Sequence, residues 1–457
     1  MSRTALSIFT AAMSALIAQA PAATKVMPVL NQAMADITIP FNSTTTSINL
    51  GSHFGTEAID DQVVRFTSQT SNGSRVLDFA LFSTRTPLTR ANFLYYVNNN
   101  LYQRSIIHRS VPGFVIQGGG YYNIAPGSTP LLTAITVASP VANEYGISNT
   151  YSTISMAKSA GNPDSATSQW FVSLGDNSAN LDNQNGGFTV FGRVTRGTMP
   201  NAAAFGNPLQ FPIWNAGGAL SSLPLIQSFN NTSPLAATDL VLFESVALAN
   251  LPADQAGEST TLTYSILSNT NPAVNATIGD GGQLHIDYLP NASGDGTITI
   301  RATDSAGNIV DDHVFISVKV FTTYTTWKNA VLSSADAADD NISGAGVDNG
   351  SALSNLELFA HGLTPASRDS EAVIFSNTKI STSDYPTFSF PLVRNLSGVS
   401  YAIQTSSDLG IADPWTNVPH TIVSQSATGE IDSLVIRTTS ARASANAYYR
   451  LAFSLTE

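Results

Sequence analysis

Hydrophobic and polar residues alternate with a period of two along much of the chain, which predicts a protein built mainly from β-strands. Strand-like runs at 63–66 and 76–82 flank Ser71-Asn72-Gly73-Ser74, and an Asn-Gly pair between two such runs predicts a β-hairpin. A helix is expected next, because Thr86 is a good N-cap and Pro87 suits the first helical position. Residues 63 to about 98 are therefore predicted to form a hairpin followed by a helix.

A short segment punctuated by Pro and Gly follows, at residues 107–119. If its second half is a strand, Val115 and Gln117 share one face of that strand. The Pro112-Gly113 pair predicts a turn that re-aims the chain, so Arg109 can be brought over the face of Gln117. A guanidinium fixed above an apolar floor suits the binding of a carbonyl or an amide. Besides Arg109 and Gln117, only His108 and Ser110 offer polar side chains there, and the segment does not look like a nucleophile site.

The regions after residue 250 differ in how their apolar and polar residues are spaced. Residues 251–320 alternate at period two between Gly, Asn and Asp turns, which predicts a β-sandwich. Residues 327–362 carry the later helical pattern, with Gly362 placed as a C-cap. Alternation returns from residue 371, which predicts a small β unit at the end.

The N-terminal region has two parts. Met1-Ser2-Arg3 carries one positive charge, residues 5–20 are mostly apolar, and small residues follow, with Ala22/Ala23 the better cleavage junction. This pattern predicts a secretory signal peptide over residues 1–23 and a protein that is periplasmic, secreted or on the cell surface; a buried N-terminal helix is the alternative. Residues 24–61 predict a lead-in β segment with one strand pair, around 37–39 and 47–50.

Composition narrows the function classes. A length of 457 residues suggests about three domains, and 43% hydrophobic residues allow real cores. A net charge of −12 with few Lys and Arg argues against a nucleic-acid partner. The chain has no cysteine, so it has no disulfide or cysteine-ligated zinc. No segment after the N-terminus is long and apolar enough to span a bilayer.

The segment beginning at Ile107 resembles the signature Phe-His-Arg-x-x-Pro-Gly-Phe-x-x-Gln-Gly-Gly of the cyclophilin family of peptidyl-prolyl cis-trans isomerases. It matches at every signature position except Ile107, which replaces the first Phe. A second group of matches follows in the family order: Ser155–Lys158, Ser168–Val172, Leu181-Asp182 and Val190–Val194. The resemblance covers about residues 62–249, and two blocks in order are far more specific than one.

The resemblances imply a mainly β, multidomain protein. The turn at residues 302–308 resembles cadherin-like and other immunoglobulin-like bacterial modules, and the tail resembles C-terminal modules of secreted multidomain bacterial proteins. The expected order is a signal peptide (1–23), a lead-in β segment (24–61), a closed cyclophilin-type β-barrel with flanking helices (62–249), an immunoglobulin-like β-sandwich (250–322) and a C-terminal acidic loop, helix and β module (323–457).

By resemblance, the activity is isomerisation of X-Pro bonds in exported proteins, without cofactor or metal. Arg109 would stabilise the twisted amide, with Phe114 and Gln117 completing the catalytic set. The expected substrate-binding residues are His108, Val115, Ala157, Lys158, Gln169, Phe171, Leu181 and Phe188. A structural role for His108 is favoured as well, because amide rotation needs no titrating base.

Other interpretations stay open at this point. Phe114, Phe171 and Leu181, taken singly, are better explained as core residues. Arg109 could be a surface ion-pair residue, although its apolar neighbourhood disfavours this. The rival function is a secreted or surface-associated protein that binds proline peptides with little or no turnover. The sequence does not fix the oligomeric state of the protein.

Departures from the family pattern occur at Lys158, which replaces an Asn, and at Asn180 and Phe188, which replace a Trp and a His. They cast doubt on cyclosporin binding more than on turnover. A calcium site is a further candidate, and a solvated loop is the favoured alternative because the spacing fits no EF-hand. The oxygen ligands would come from Asp336, Asp339, Asp340, Asn341 and Asp348.

Overall fold

The computed structural model describes residues 24–70, 73–347, 353–365, 372–443 and 446–456. The predicted signal peptide, residues 1–23, lies outside these ranges, as does Asp348 of the calcium candidate. Strands dominate the described residues, as the alternating pattern predicts. No helix among them is long and apolar enough to cross a lipid bilayer.

The region up to residue 250 holds the strands and helices that surround the cyclophilin-like motifs. Its strands are β1 (Val26–Leu30), β2 (Ile37–Pro40), β3 (Thr46–Asn49), β4 (Phe54–Thr70), β5 (Gly73–Phe82), β6 (Arg109–Val111), β7 (Val115–Gly118), β8 (Tyr121–Tyr122), β9 (Thr133–Ala134), β10 (Thr153–Met156), β11 (Trp170–Ser173), β12 (Val190–Val194), β13 (Ile213–Trp214), β14 (Leu223–Pro224) and β15 (Phe243–Asn250). Its α-helices are α1 (Leu50–His53), α2 (Pro87–Asn98), α3 (Ser178–Leu181) and α4 (Met199–Phe205).

The main sheet of this region runs in the order β1-β4-β5-β12-β10-β11-β7-β6, with β15 also paired to β4. The predicted hairpin is confirmed, since β4 pairs antiparallel with β5 out to Thr70 and Gly73. An aromatic cluster fills the core: the Phe66 ring lies 5.4 Å from that of Trp170 and 5.0 Å from that of Phe243. Burial of these large rings is a main source of stability for the region.

The predicted closed barrel is wrong at one seam. Within the described residues, the segments just before β6 and β15 meet through the isolated bridge between Ile106 and Leu242, and no strand ladder joins them. The reason is local: Ser105 donates its backbone N–H to Tyr102 in a turn (3.1 Å), so the extended stretch is too short for a ladder. The sheet is therefore open at this seam, which only isolated backbone hydrogen bonds cross.

The second region contains two further sheets over one core. Its strands are β16 (Thr263–Asn269), β17 (Val274–Gly279), β18 (Gln283–Tyr288), β19 (Gly294–Thr303) and β20 (Ile309–Lys319). One sheet has the order β16-β19-β20-β2 and the other β17-β18-β3. Side chains of both sheets, among them Ile286 and Ile300, are fully buried in a shared cluster.

The lead-in segment is divided between the two regions. Strand β1 pairs with β4, whereas β2 lies parallel to β20 and β3 antiparallel to β18. The expected pairing of β2 with β3 is therefore wrong. Instead, β2 extends the sheet of β20 and β3 extends the sheet of β18, and the apolar side chains of β18 and β20 lie in the core between those sheets. The alternation of residues within β2 and β3 cannot reveal partners so far along the chain. The segment thus ties the cyclophilin-like region to the second region.

A buried arginine also joins these regions. Arg193, on β12, donates to the carbonyl oxygens of Pro28 (2.6 Å) and Ile309 (2.9 Å) and to Ser152 Oγ. Burial lowers the pKa of Arg193 to about 10, yet leaves it charged at neutral pH. The guanidinium therefore fixes β1 and the start of β20 against the main sheet.

The C-terminal region begins with helices and ends in two small sheets. Its elements are α5 (Tyr324–Val331), α6 (Ser334–Ala338), α7 (Asp340–Ser343), α8 (Asn355–His361), β21 (Ile374–Ile380), β22 (Ser383–Val393), β23 (Val399–Ser406), β24 (Thr416–Val418), β25 (His420–Thr428), β26 (Ile431–Thr438) and β27 (Tyr448–Leu455). A capping box of Ser354 and Glu357 starts α8, and Gly362 ends it in the left-handed conformation, as predicted.

Candidate active site

The β6–β7 hairpin places the guanidinium. Arg109 and Gln117 are directly opposed across its two strands. The turn between them closes with a hydrogen bond from the Phe114 N–H to the Val111 carbonyl (3.0 Å), and Gly113 takes a positive φ of 71°. Arg109 Nη1 then lies 3.4 Å from Gln117 Oε1. The turn predicted at Pro112-Gly113 therefore brings the two side chains together.

A cavity of about 210 Å³ opens beside this pair. Its lining residues are Arg109, Phe114, Val115, Gln117, Ala157, Lys158, Phe171, Leu181 and Phe188. Val115, Phe171 and Leu181 form a buried floor, and the ring of Phe188 stands edge-on to that of Phe171 at 5.7 Å. The cavity is thus an apolar pocket with one guanidinium and one amide at its side.

A chain of hydrogen bonds orients the arginine. Gln117 Nε2 donates to Gln169 Oε1 (2.9 Å), which leaves Gln117 Oε1 directed to Arg109. The main chain of Gln169 is itself fixed, because its carbonyl accepts from the Ala157 N–H (2.9 Å). The Arg109 guanidinium also lies 5.9 Å from the Phe114 ring centroid. These contacts restrict the guanidinium to the mouth of the pocket.

The chain matches proteins of one family over this region. The family described as cyclophilin type peptidyl-prolyl cis-trans isomerase/CLD matches residues 65–200. The chain is also 35% identical over 137 residues to peptidyl-prolyl cis-trans isomerase B of Escherichia coli, which is 29% of this chain and 77% of that protein. The chain belongs to the cyclophilin family.

Other relatives share the same region. The chain is 40% identical over 124 residues to a peptidyl-prolyl cis-trans isomerase of Acinetobacter baylyi, covering 26% of this chain and 62% of that protein. It therefore spans less than two thirds of that relative's length. A solved cyclophilin of Cryptosporidium parvum, crystallised in the presence of the dipeptide Ala-Pro, aligns with a TM-score of 0.27 at 20% identity, covering 41% of this chain and 99% of that chain.

Lys158 stands on the rim of the cyclophilin pocket. Its Nζ donates to the carbonyl oxygens of Asn185 (3.0 Å) and Gly187 (2.5 Å) and lies 4.8 Å from the Phe188 ring centroid. Burial lowers its pKa. The Lys158 ammonium is therefore tethered at the rim by the 185–188 loop and by Asn143 Oδ1 (3.3 Å).

His108 and Gln169 lie outside the lining of this cavity, so their predicted contacts with substrate stay predictions. His108 is buried behind the hairpin with its ring 5.4 Å from that of Tyr121, and its Nδ1 has no hydrogen-bond partner among the described residues. Burial lowers the pKa of His108 to about 4, although the contact with Gln169 opposes this shift. The ring is therefore neutral at the pH where the protein would work.

The titration of His108 is directly measurable. We expect its imidazole proton resonances to shift with a midpoint near pH 4 in the folded chain. Protonation then favours the unfolded state between pH 4 and pH 6.5, so the stability of the region falls as the pH falls through that window. NMR titration of the ring protons checks this, with the His108→Gln variant assigning the signal. A midpoint near pH 6.5 would show that the ring is solvated.

Two asparagines support the pocket and were missed in the sequence. Asn177 Nδ2 donates to the Phe114 carbonyl (3.0 Å), and Asn149 Nδ2 donates to the Phe188 carbonyl (3.0 Å). Asn149 Oδ1 in turn accepts from Ser155 Oγ (2.7 Å). Isolated asparagines in loops carry no periodic signal, and only their burial reveals that they hold the walls of the pocket.

Proposed function

We propose that the chain is a peptidyl-prolyl cis-trans isomerase that stabilises the twisted X-Pro amide with Arg109 at the edge of an apolar pocket. A prolyl amide rotates slowly because its resonance must be broken, with a barrier of about 18–20 kcal/mol. A catalyst needs only to bind the twisted amide better than either planar form. Neither a covalent intermediate nor a proton transfer is required.

The state of Arg109 is the observation that carries this proposal. The ion pairs found among the described residues include seven other arginines, but none involves Arg109, whose hydrogen-bonding partner there is the neutral Gln117. This disfavours the reading of Arg109 as a surface ion-pair residue. Arg109 lines the pocket, so its N–H groups could reach the proline nitrogen of a bound peptide. That nitrogen regains a lone pair when the amide is twisted, and a donor aimed at it would stabilise the twisted state alone.

The apolar floor supplies the second requirement. Val115, Phe171 and Leu181 are each less than 7% exposed and present carbon to the pocket. A proline ring seated on them would exclude water and strengthen the hydrogen bond from the guanidinium. The residues before the proline would lie along the main chain of Ala157 and Lys158. Together these features suit a proline-containing peptide.

The proposed clients are exported polypeptides. Support comes from the apolar, uncharged stretch at residues 5–20 after Arg3, which is typical of a signal peptide, and from the scarcity of charge along the chain. The location would be periplasmic, secreted or on the cell surface. The immunoglobulin-like and C-terminal regions would accompany the isomerase region there.

A protease-coupled assay on Ala-Pro peptides tests the proposed activity. The first-order rate of cis-to-trans conversion is expected to rise in proportion to the concentration of the purified chain, at several peptide concentrations. A rate that stays at the uncatalysed background, although the peptide binds, would instead identify a proline-peptide binder without turnover.

A further inference from the structure

A polar cleft of about 640 Å³ lies between the cyclophilin region and the second region. Asp312 and His313, on β20, line this cleft, and Asp176, just before α3 in the cyclophilin region, lies next to them. One ligand atom from each of these three residues lies within 4.8 Å of the other two. His313 Nδ1 and Asp176 Oδ2 are 3.4 Å apart. Two carboxylates and an imidazole thus converge across the interface.

Asp312 is the unusual member of this cluster. Its side chain is 1% exposed, and its Oδ2 accepts the Met34 N–H at 2.8 Å. Its Oδ1, however, has no hydrogen-bond partner among the described residues. Leaving a buried carboxylate oxygen unpaired is destabilising unless a donor or a cation faces it. Burial is the largest influence on the pKa of Asp312 and raises it; the charge of Asp176 adds to this, while the backbone N–H groups of Met34 and His313 and the charge of His313 oppose it.

A simple ion pair does not account for the arrangement. An ion pair between His313 and Asp176 explains their 3.4 Å separation, but it leaves Asp312 Oδ1 without a partner. Asp36 and Asp182 also line the cleft, so its wall carries further carboxylates. A cation that contacts all three residues would satisfy the unpaired oxygen and offset the repulsion between Asp176 and Asp312.

We propose that Asp176, Asp312 and His313 bind a divalent transition-metal ion, Zn²⁺ in the first instance, between the cyclophilin region and the second region. One imidazole nitrogen and two carboxylate oxygens are a donor set suited to zinc, with water in the fourth position. Two donors at about 2.0–2.2 Å from a tetrahedral ion are about 3.4 Å apart, which is the distance between His313 Nδ1 and Asp176 Oδ2. The three ligand atoms together lie within 4.8 Å of one another, so binding of the ion would draw them closer. Asp176 lies far along the chain from Asp312 and His313, so no sequence motif marks this cluster.

A metal ion at this site would hold in place residues 176–181, the segment that supports the pocket. Asp176 is followed by Asn177, whose side chain holds the Phe114 carbonyl, and by Leu181 in the pocket floor. An ion bound by Asp176 and β20 would therefore fix this segment to the second region. The proposal concerns binding and stands whether or not the chain is an isomerase.

Isothermal titration of the intact, untagged chain with Zn²⁺ tests the site. We expect one equivalent to bind, with Ca²⁺ and Mg²⁺ binding more weakly. His313→Ala should weaken Zn²⁺ binding by more than the roughly 10–100-fold loss that follows removal of an outer-shell partner. His285→Ala is the matched control, since His285 is a histidine of the same region, on β18, and its loss should leave binding unchanged.

Two further variants provide the test if the His313→Ala chain fails to fold. Asp176→Asn, on a partly exposed side chain, and Asp312→Asn should each lower the Zn²⁺ affinity. In addition, the absorption spectrum of the Co²⁺-substituted chain should show four-coordinate ligand-field bands, and His313→Ala should abolish them. Absence of Zn²⁺ binding to the wild-type chain would overturn the proposal. So would binding that His313→Ala and Asp176→Asn, both folded by circular dichroism, leave unchanged.

Discussion

Replacing Arg109 by alanine is expected to lower kcat/KM for an Ala-Pro peptide by about 10²–10³-fold, the usual effect of removing one donor that acts on the transition state. The loss should fall on kcat rather than on KM, because the planar amide gains little from the guanidinium and the apolar floor of the pocket is untouched. Stability should change little, since Arg109 makes no ion pair among the described residues and its contact with Gln117 is long, at 3.4 Å.

Arg75→Ala is the matched control for this substitution. Arg75 also lies over a phenylalanine ring, 5.4 Å from the centroid of Phe211, but outside the pocket lining. Its removal should leave kcat/KM unchanged. Arg109→Lys keeps the charge but loses the planar fork, so it should recover only a small part of the activity. Equal activity of the Arg109→Ala and wild-type chains would show that the guanidinium has no part in the reaction.

Replacing Gly119 by alanine is expected to lower the free energy of unfolding of the cyclophilin region by about 2–5 kcal/mol, from backbone strain and overpacking together. Gly119 has a φ of 75°, which L-residues disfavour, and a Cβ there would lie 2.4 Å from the Ser168 carbonyl oxygen. Because that oxygen belongs to the main chain, and accepts from Tyr102 Oη, it cannot move aside easily. The β7–β11 contact should therefore loosen.

Gly113→Ala separates strain from collision. Gly113 has nearly the same φ, 71°, but no atom lies within 4 Å of the position its Cβ would occupy. The Gly113→Ala variant should therefore lose only about 1–2 kcal/mol of its free energy of unfolding. Hydrogen exchange of peptides from β7 and β11, followed by mass spectrometry, measures both variants. Equal protection in the two variants would mean that the collision with Ser168 is relieved by a small shift.

The sequence predicted the pocket better than the architecture around it. The spacing of Arg109, Phe114 and Gln117 is local, so a turn and a strand suffice to bring these side chains together. The second wall, with Phe171 and Leu181, followed from resemblance, because no periodicity relates residues so far apart along the chain. His108 shows the limit of both approaches, since its low pKa results from burial that only the fold reveals.

Long-range pairings account for what sequence reasoning missed. Strand β2 pairs with β20 and β3 with β18, although the pattern favoured pairing β2 with β3. Short strands fit many partners, and which one they pair with depends on the apolar faces that the rest of the fold presents. The cluster of Asp176, Asp312 and His313 was missed for the same reason, because two regions must pack together before it exists.

NMR exchange spectroscopy of an Ala-Pro peptide with the intact chain is the most direct test of the central claim. The account predicts that catalytic amounts of the wild-type chain produce cis–trans exchange cross-peaks, and that the Arg109→Ala chain still binds the peptide but shows exchange slower by about 10²–10³-fold. Peptide binding by the wild-type chain without any exchange above the uncatalysed rate would contradict it.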